Sequence, residues 1–230
     1  MTRRTATLIL AALLSFVACG SPPDDQAEPQ ATETATPAAD GDAAPQVPER
    51  PRAGDYVYEF IGLGTTDVPD GTVLTDSIAV EGEDIVITVT NSRNDNARRI
   101  GRRWEEGRVV ETSNQTIIGG TRRACTYDPP IEIMHIPVRV EEFKEQESGG
   151  PGCQTTNAIN VVGREDTEDA TGKVWPAWVI ERQILSGDRT DEETHWFSPE
   201  LGHDVRVETI TVSGGRRTET AQLLRSYPSG

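Results

Sequence analysis

Apolar residues recur at every second position in short runs along much of this chain. Ile85, Ile87 and Val89 share one face of a run through Thr88. Ile131 and Ile133 alternate with Glu132 and Met134. Ile136, Val138 and Val140 alternate with Pro137, Arg139 and Glu141, and Val205 and Val207 with Arg206 and Glu208. A period of two is that of strands with one face buried and one wet. Turn-forming clusters separate the runs: Pro69-Asp70-Gly71, Glu81-Gly82, Gly119-Gly120, Asp128-Pro129-Pro130, Ser148 through Gly152, Ser186-Gly187-Asp188 and Ser213-Gly214-Gly215. Ser198-Pro199-Glu200-Leu201-Gly202 adds a turn in which proline presets φ and glycine follows. The C-terminal third reads as a meander of four strands, about 174–185, 192–197, 203–212 and 217–226. Short helices are expected over 140–147 and 100–106, neither with a long apolar stripe. Val110-Glu111-Thr112 ahead of Gly119-Gly120 and Arg122-Arg123 echoes Val207-Glu208-Thr209 ahead of Gly214-Gly215 and Arg216-Arg217. The spacings differ, so these read as two similar hairpins rather than a duplicated domain. The expected fold is mainly β: an antiparallel meander forming an open half-barrel or strongly curved sheet, with few short helices.

The alternation begins only at about Ala53. From Gly20 to Arg52 there are seven prolines, no aromatic residue and one branched apolar residue, Val47. Such a stretch cannot bury enough surface to offset chain entropy, so residues 19–52 are expected to form a disordered, acidic, proline-rich tether. Ahead of it, Arg3-Arg4 and the apolar run from Leu8 to Ala18 have the form of a cleaved signal peptide, residues 1–18. The run is too short to span a bilayer. Residues 53–230 are expected to form a single β-rich domain.

Phe16-Val17-Ala18-Cys19 resembles the lipobox of bacterial lipoproteins, with Phe16 where leucine is usual. The resemblance implies acylation of Cys19 and an extracytoplasmic, lipid-anchored protein of a bacterial membrane. The rival is an ordinary secretory signal that leaves Cys19 unmodified. Cys125 and Cys153 remain. Two cysteines in an oxidising compartment are expected to form one disulfide, contributing about 3.6 kcal/mol on a chain-entropy argument. The alternative, a metal pair with His135, lacks any close Cys-x-x-Cys spacing.

The net charge of −16 disfavours nucleic acid and direct docking on anionic lipid. No cofactor is expected. The chain has no Gly-x-Ser-x-Gly and no Ser-x-x-Lys, and Gly62-Leu63-Gly64 lacks the third glycine of a dinucleotide loop. His195 and His203 flank the Ser198-Pro199 turn, close to Glu192, Glu193 and Asp204. They are the nearest thing to a metal or hydrolytic site, without the spacing of a metal motif. The acidic run Glu165 to Asp169 lacks the ligand pattern of a calcium loop and reads as a solvated hairpin tip. Trp178 and Trp196 fall on adjacent expected strands. They are candidate ligand-binding residues lining an apolar cavity, although a core with few aromatics also needs their area.

One further similarity covers roughly 159–224. Val161-Val162-Gly163-Arg164-Glu165-Asp166, Trp178 to Arg182, Trp196-Phe197-Ser198-Pro199-Glu200-Leu201-Gly202 and Val205-Arg206 resemble secreted and lipid-anchored bacterial domains akin to the half-barrel of periplasmic lipoprotein carriers. The resemblance implies a curved sheet and no catalytic residues. The helical lid of those carriers has no counterpart here. The expected function is a non-catalytic binding or scaffold module of the cell envelope, taking an apolar ligand, a lipid or an envelope protein. The alternative is an envelope hydrolase with a dispersed carboxylate and histidine site.

Overall fold

A computed structural model describes residues 46–150 and 153–229, with the side chains of 141–143 left aside. The signal segment, Cys19 and the tether up to residue 45 lie outside the described residues. Those described form twelve strands and no helix: β1 (Gly54–Gly62), β2 (Val73–Glu81), β3 (Asp84–Asn91), β4 (Asn94–Glu105), β5 (Arg108–Ile118), β6 (Thr121–His135), β7 (Glu141–Ser148), β8 (Thr155–Glu168), β9 (Val174–Ser186), β10 (Arg189–Ser198), β11 (His203–Ser213) and β12 (Arg216–Ser226).

All neighbours are antiparallel, in the order β6-β5-β4-β3-β2-β1-β12-β11-β10-β9-β8-β7. The sheet curls into a nearly closed barrel. First and last strands pair with each other through the middle of the sheet. The single seam falls between β6 and β7. The four C-terminal strands lie where the alternation and turn residues put them. Glycines at positive φ, such as Gly119–Gly120 and Gly214–Gly215, make the tight hairpins that right-twisted strands require.

Both expected helices are strands. β4 keeps a strict alternation with Arg98, Ile100, Arg102 and Trp104 inward. Opposite Gly101 the register against β5 shifts by one extra β5 residue, Thr112, and a Cβ at Gly101 would meet Ser113 Oγ at 2.4 Å. The inward arginines of β4 hide its period of two, while the bulge in β5 switches its inward set from Val109 and Glu111 to Asn114 and Thr116. β7 is a polar edge strand pairing only with β8, so one ladder of partners sufficed to make it a strand. The run at 131–134 is also shifted: Ile131 and Met134 are buried, because the β5–β6 register slips between Val109 and Val110. Residues 136–140 link β6 to β7 with only a bridge at Val138.

At the seam, side chains replace the missing ladder. Gln146 Oε1 accepts the Glu132 backbone N–H at 3.0 Å, and its Nε2 donates to the Glu132 carbonyl at 2.8 Å. The carboxamide thus stands in for a peptide group. Lys144 pairs with Glu132 at 2.9 Å, and the Ser148 hydroxyl donates to the Pro129 carbonyl. The Cys125–Cys153 disulfide crosses the same side of the barrel.

The two ends differ. Turns after β2, β4, β6, β8 and β10 form one end, and residues 46–52, expected in the tether, cross it as a strap. Gln46 and Val138 exchange backbone bonds, Glu49 N–H donates to Pro199 O at 2.7 Å, and Arg50 donates to Gly82 O at 2.8 Å. Pro48 and Pro51 are buried beneath. The folded part therefore begins by Gln46 rather than at Ala53. The core lies in this half, around Tyr56, Ile87, Trp104, Ile131, Trp178 and Leu224.

Gly202, at φ +61°, allows the strap to approach: a Cβ there would meet Glu49 O at 2.0 Å. Gly187, at φ +63°, has nothing within 4 Å. Gly187→Ala is expected to lose about 1–2 kcal/mol from positive φ alone. Gly202→Ala loses at least about 1 kcal/mol more, by the overpacking of a filled site. Urea midpoints measure both, and equal losses would mean that the strap does not bear on this turn. Gln146→Ala is expected to cost roughly 1–3 kcal/mol by leaving two main-chain groups of Glu132 unpaired. It should also accelerate hydrogen exchange at the Glu132 amide; unchanged protection there would refute the stand-in role.

Candidate functional site

Moving from the strapped end to the other, the inner face of several strands changes from apolar to charged. β10 runs Phe197, His195, Glu193, Asp191; β9 runs Trp178, Ile180, Arg182, Ile184; β4 runs Trp104, Arg102, Ile100, Arg98. Halfway along, the charges form a layer. Arg182 is buried. Its Nη1 lies 3.2 Å from Glu111 Oε2 and 3.8 Å from Glu193 Oε2, while Nε and Nη2 donate to Asn157 Oδ1 at 3.0 and 2.8 Å. His195 is held between Glu193 (Nε2, 3.2 Å) and Asp204 (Nδ1, 3.1 Å). Tyr58 donates its hydroxyl to the Asp204 carbonyl at 2.8 Å.

Burial alone would drive His195 neutral, but Asp204 and Glu193 outweigh it and push the imidazole up to about 9. The same ion pairs work in reverse on the carboxyls. Burial would raise Glu193, yet His195 and Arg182 hold it far below the usual carboxylate range. Asp204 is lowered likewise by His195. A doubly protonated imidazole with both N–H groups committed has no lone pair for a proton or a metal. His203 is buried against Tyr56, ring centroids 4.6 Å apart, with Nε2 3.3 Å from Asp76. The two histidines and Asp204 do share a cavity, as a hydrolytic site would need. That cavity measures about 50 Å³ and is otherwise mostly apolar, which is room for water rather than substrate. Among the described residues no group of three or more His, Cys, Asp or Glu is disposed to hold a metal ion.

His135 lies beside Glu132 at 3.1 Å, and the two cysteines it was weighed with are joined to each other. Residues 165–168 belong to β8 rather than a hairpin tip. Asp169 organises the following turn, accepting the Thr171 and Lys173 N–H groups and the Trp175 indole.

Trp178 and Trp196 do not line a common cavity. Trp178 pairs in register with Phe197 and is fully buried in the core. Trp196 pairs with Val179 and so faces the opposite side of the sheet. There it joins Ala177 and Val179, donates to Glu165 and lies under the Arg206 guanidinium, 4.6 Å from its centroid. Both are packing residues.

The sizeable space is elsewhere. Above the charged layer the barrel opens as a polar lumen of about 730 Å³. Its floor carries Arg182 and Glu193, and its walls include Arg98, Asn114, Arg123, Tyr127 and Asp191, with the disulfide in one side. Sequence reasoning named Glu193 beside the two histidines, and Arg182 and Arg123 within strand and hairpin patterns, but did not join these residues into a site. Their only signals were the arginine pairs Arg98-Arg99 and Arg122-Arg123 and the charged positions of β10, which look like solvated surface until the barrel is closed.

No protein family model, characterised protein or solved structure matches this chain.

His195 gives a pH test. Its folded value of about 9 lies above the ordinary 6.5, so its stabilisation is complete below about pH 6.5 and lost as pH rises through about 9. The loss is at most about 3 kcal/mol between about pH 6 and pH 10. Urea unfolding of the native chain should show this decline, and His195→Gln should flatten it. An identical slope in both would mean that the imidazolium does not hold the layer together.

Proposed function

We propose that this chain is a lipid-anchored, extracytoplasmic module of a bacterial cell envelope. In this reading it binds a small polar ligand, without catalysis, in the open half of its barrel. The observation that carries the reading is the division of the interior. The apolar half is filled by aromatic and aliphatic side chains and strapped by residues 46–52, leaving about 50 Å³. The polar half is open, at about 730 Å³, within the ordinary range of ligand sites. An acyl chain has little room in the first and meets a mostly polar, charged lining in the second, so carriage of lipid is the weaker reading. The committed state of His195 argues against a hydrolase built on it. The address rests on the lipobox around Cys19 and gains support from a disulfide, a bond that persists in oxidising compartments.

Mass spectrometry of the chain expressed with its leader in a bacterial host, and released from neutral detergent, tests this. The expected species begins at an acylated Cys19, lacks the two hydrogens of a Cys125–Cys153 bond, and carries no non-covalent phospholipid. A retained phospholipid would overturn the polar-ligand reading. A chain still beginning at Met1 would overturn the address.

A further inference from the structure

We infer that the lumen is an anion site, in which Arg98 and Arg123 clasp a carboxylate or phosphate group of a small soluble ligand. This rests on the lumen being a ligand site and names the chemistry it selects.

Most charges there are already answered within the wall. Arg182 is used by Glu111, Asn157 and Glu193. Arg189 donates to both oxygens of Asp191 at 3.0 and 2.8 Å, and Asp191 also accepts the Thr211 hydroxyl at 2.6 Å. Glu193 is bonded to His195. Two guanidiniums have no carboxylate in contact, although Arg98 acts on Glu193 through space. Arg98 donates only its Nε, to Asn114 Oδ1 at 3.2 Å, which leaves both terminal amino groups to spare. Arg123 has no hydrogen-bond or ion-pair partner among the described residues, and neither arginine has a carboxylate within ion-pairing distance there.

The sheet register brings these two together. Arg98 of β4 stands directly opposite Thr116 of β5, and Thr116 directly opposite Arg123 of β6. The three form one rung across adjacent strands, with all three residues lining the lumen. At roughly 4.8 Å per strand the arginine backbones are about 10 Å apart, a span that two long side chains close onto one anion from either side. A guanidinium fork matches carboxylate and phosphate oxygens in pairs, and Thr116 adds a hydroxyl between. An anion relieves the mutual repulsion of the two cations, which a neutral ligand does not. The acidic chain elsewhere, net −16 overall, makes this pair of guanidiniums without a contacting carboxylate a selective feature rather than a general basic face.

Calorimetry on the full chain in neutral detergent tests the inference, with pyrophosphate, citrate and the uncharged sugar maltose as probes. At least one anion should bind, more tightly at low salt, and preference between the two tells phosphate from carboxylate. Arg123→Gln should weaken that binding at least tenfold; because this side chain holds no partner, the fold is unaffected. Thr116→Trp should abolish binding by placing an indole between the two arginines, whereas Arg103→Gln, on the outer surface with Asp84, should leave it unchanged. Anion binding that is equal in the Arg123→Gln variant and the native chain overturns the inference, as does the absence of binding by either anion. Maltose binding that Thr116→Trp abolishes, with no anion bound, would overturn the anion site and leave the polar lumen standing.

Discussion

Arg182 ties the interior of this barrel together. It projects from β9 and meets Glu111 on β5, 71 residues away in the chain and on the other side of the seam. Removing two charges from water costs several kcal/mol per ion, and the attraction between them compensates only when the remaining donors are also satisfied. Here Asn157 takes two of them and Glu193 a further contact, while His195 and Asp204 continue the alternation of sign. A twelve-strand barrel is too wide to be filled by side chains throughout. The charged layer is the boundary at which filling stops: aromatic and aliphatic residues pack below it, and the open polar lumen lies above.

The seam follows from the same geometry. β1 and β12 pair by main chain, while β6 and β7, joined directly by residues 136–140, do not. An open edge exposes a row of main-chain donors and acceptors that invites other strands. Gln146 answers this locally by presenting a carboxamide to Glu132, and the disulfide fixes the separation nearby. The two Gly-Gly hairpins, β5–β6 and β11–β12, fall at equivalent places in the two six-strand halves of the sheet. One half is sealed to its neighbour by a ladder at β12–β1, the other by side chains at β6–β7.

Much of the fold was legible wherever the inner face is apolar. The expected strands at 174–185, 203–212 and 217–226 match β9, β11 and β12 closely, because Ile180, Val205 and Val207 mark the buried side and Gly-containing turns mark the ends. The expected strand at 192–197 is β10 with its first three residues missing. Those residues include Asp191, which faces the lumen, and a charged inward position looks like an outward one. The inward Arg98 and Arg102 disguise the period in β4, and β7 has too few apolar residues to show one. The strap was illegible for a different reason. Pro48 and Pro51 are buried by the turns they cross, so their order comes from tertiary contact and not from local composition.

The candidate site was less legible than the fold, and the tryptophans show why. Size and hydrophobicity drew attention to Trp178 and Trp196, but a barrel of this width consumes large side chains simply to fill its closed half. What is left for a ligand is the part that packing does not use. That part is lined by arginine, threonine, asparagine and tyrosine, residues that resemble solvated surface in a sequence. Their meaning depends on register. Arg98, Thr116 and Arg123 are far apart in sequence and become one rung only when β4, β5 and β6 align as they do. Register here is set by the bulge at Thr112 of β5, so a slip of one residue would turn the same arginines outward and empty the lumen of its charge. The polar rung therefore depends on one extra residue in β5, whose effect on facing shows only once the strands are paired.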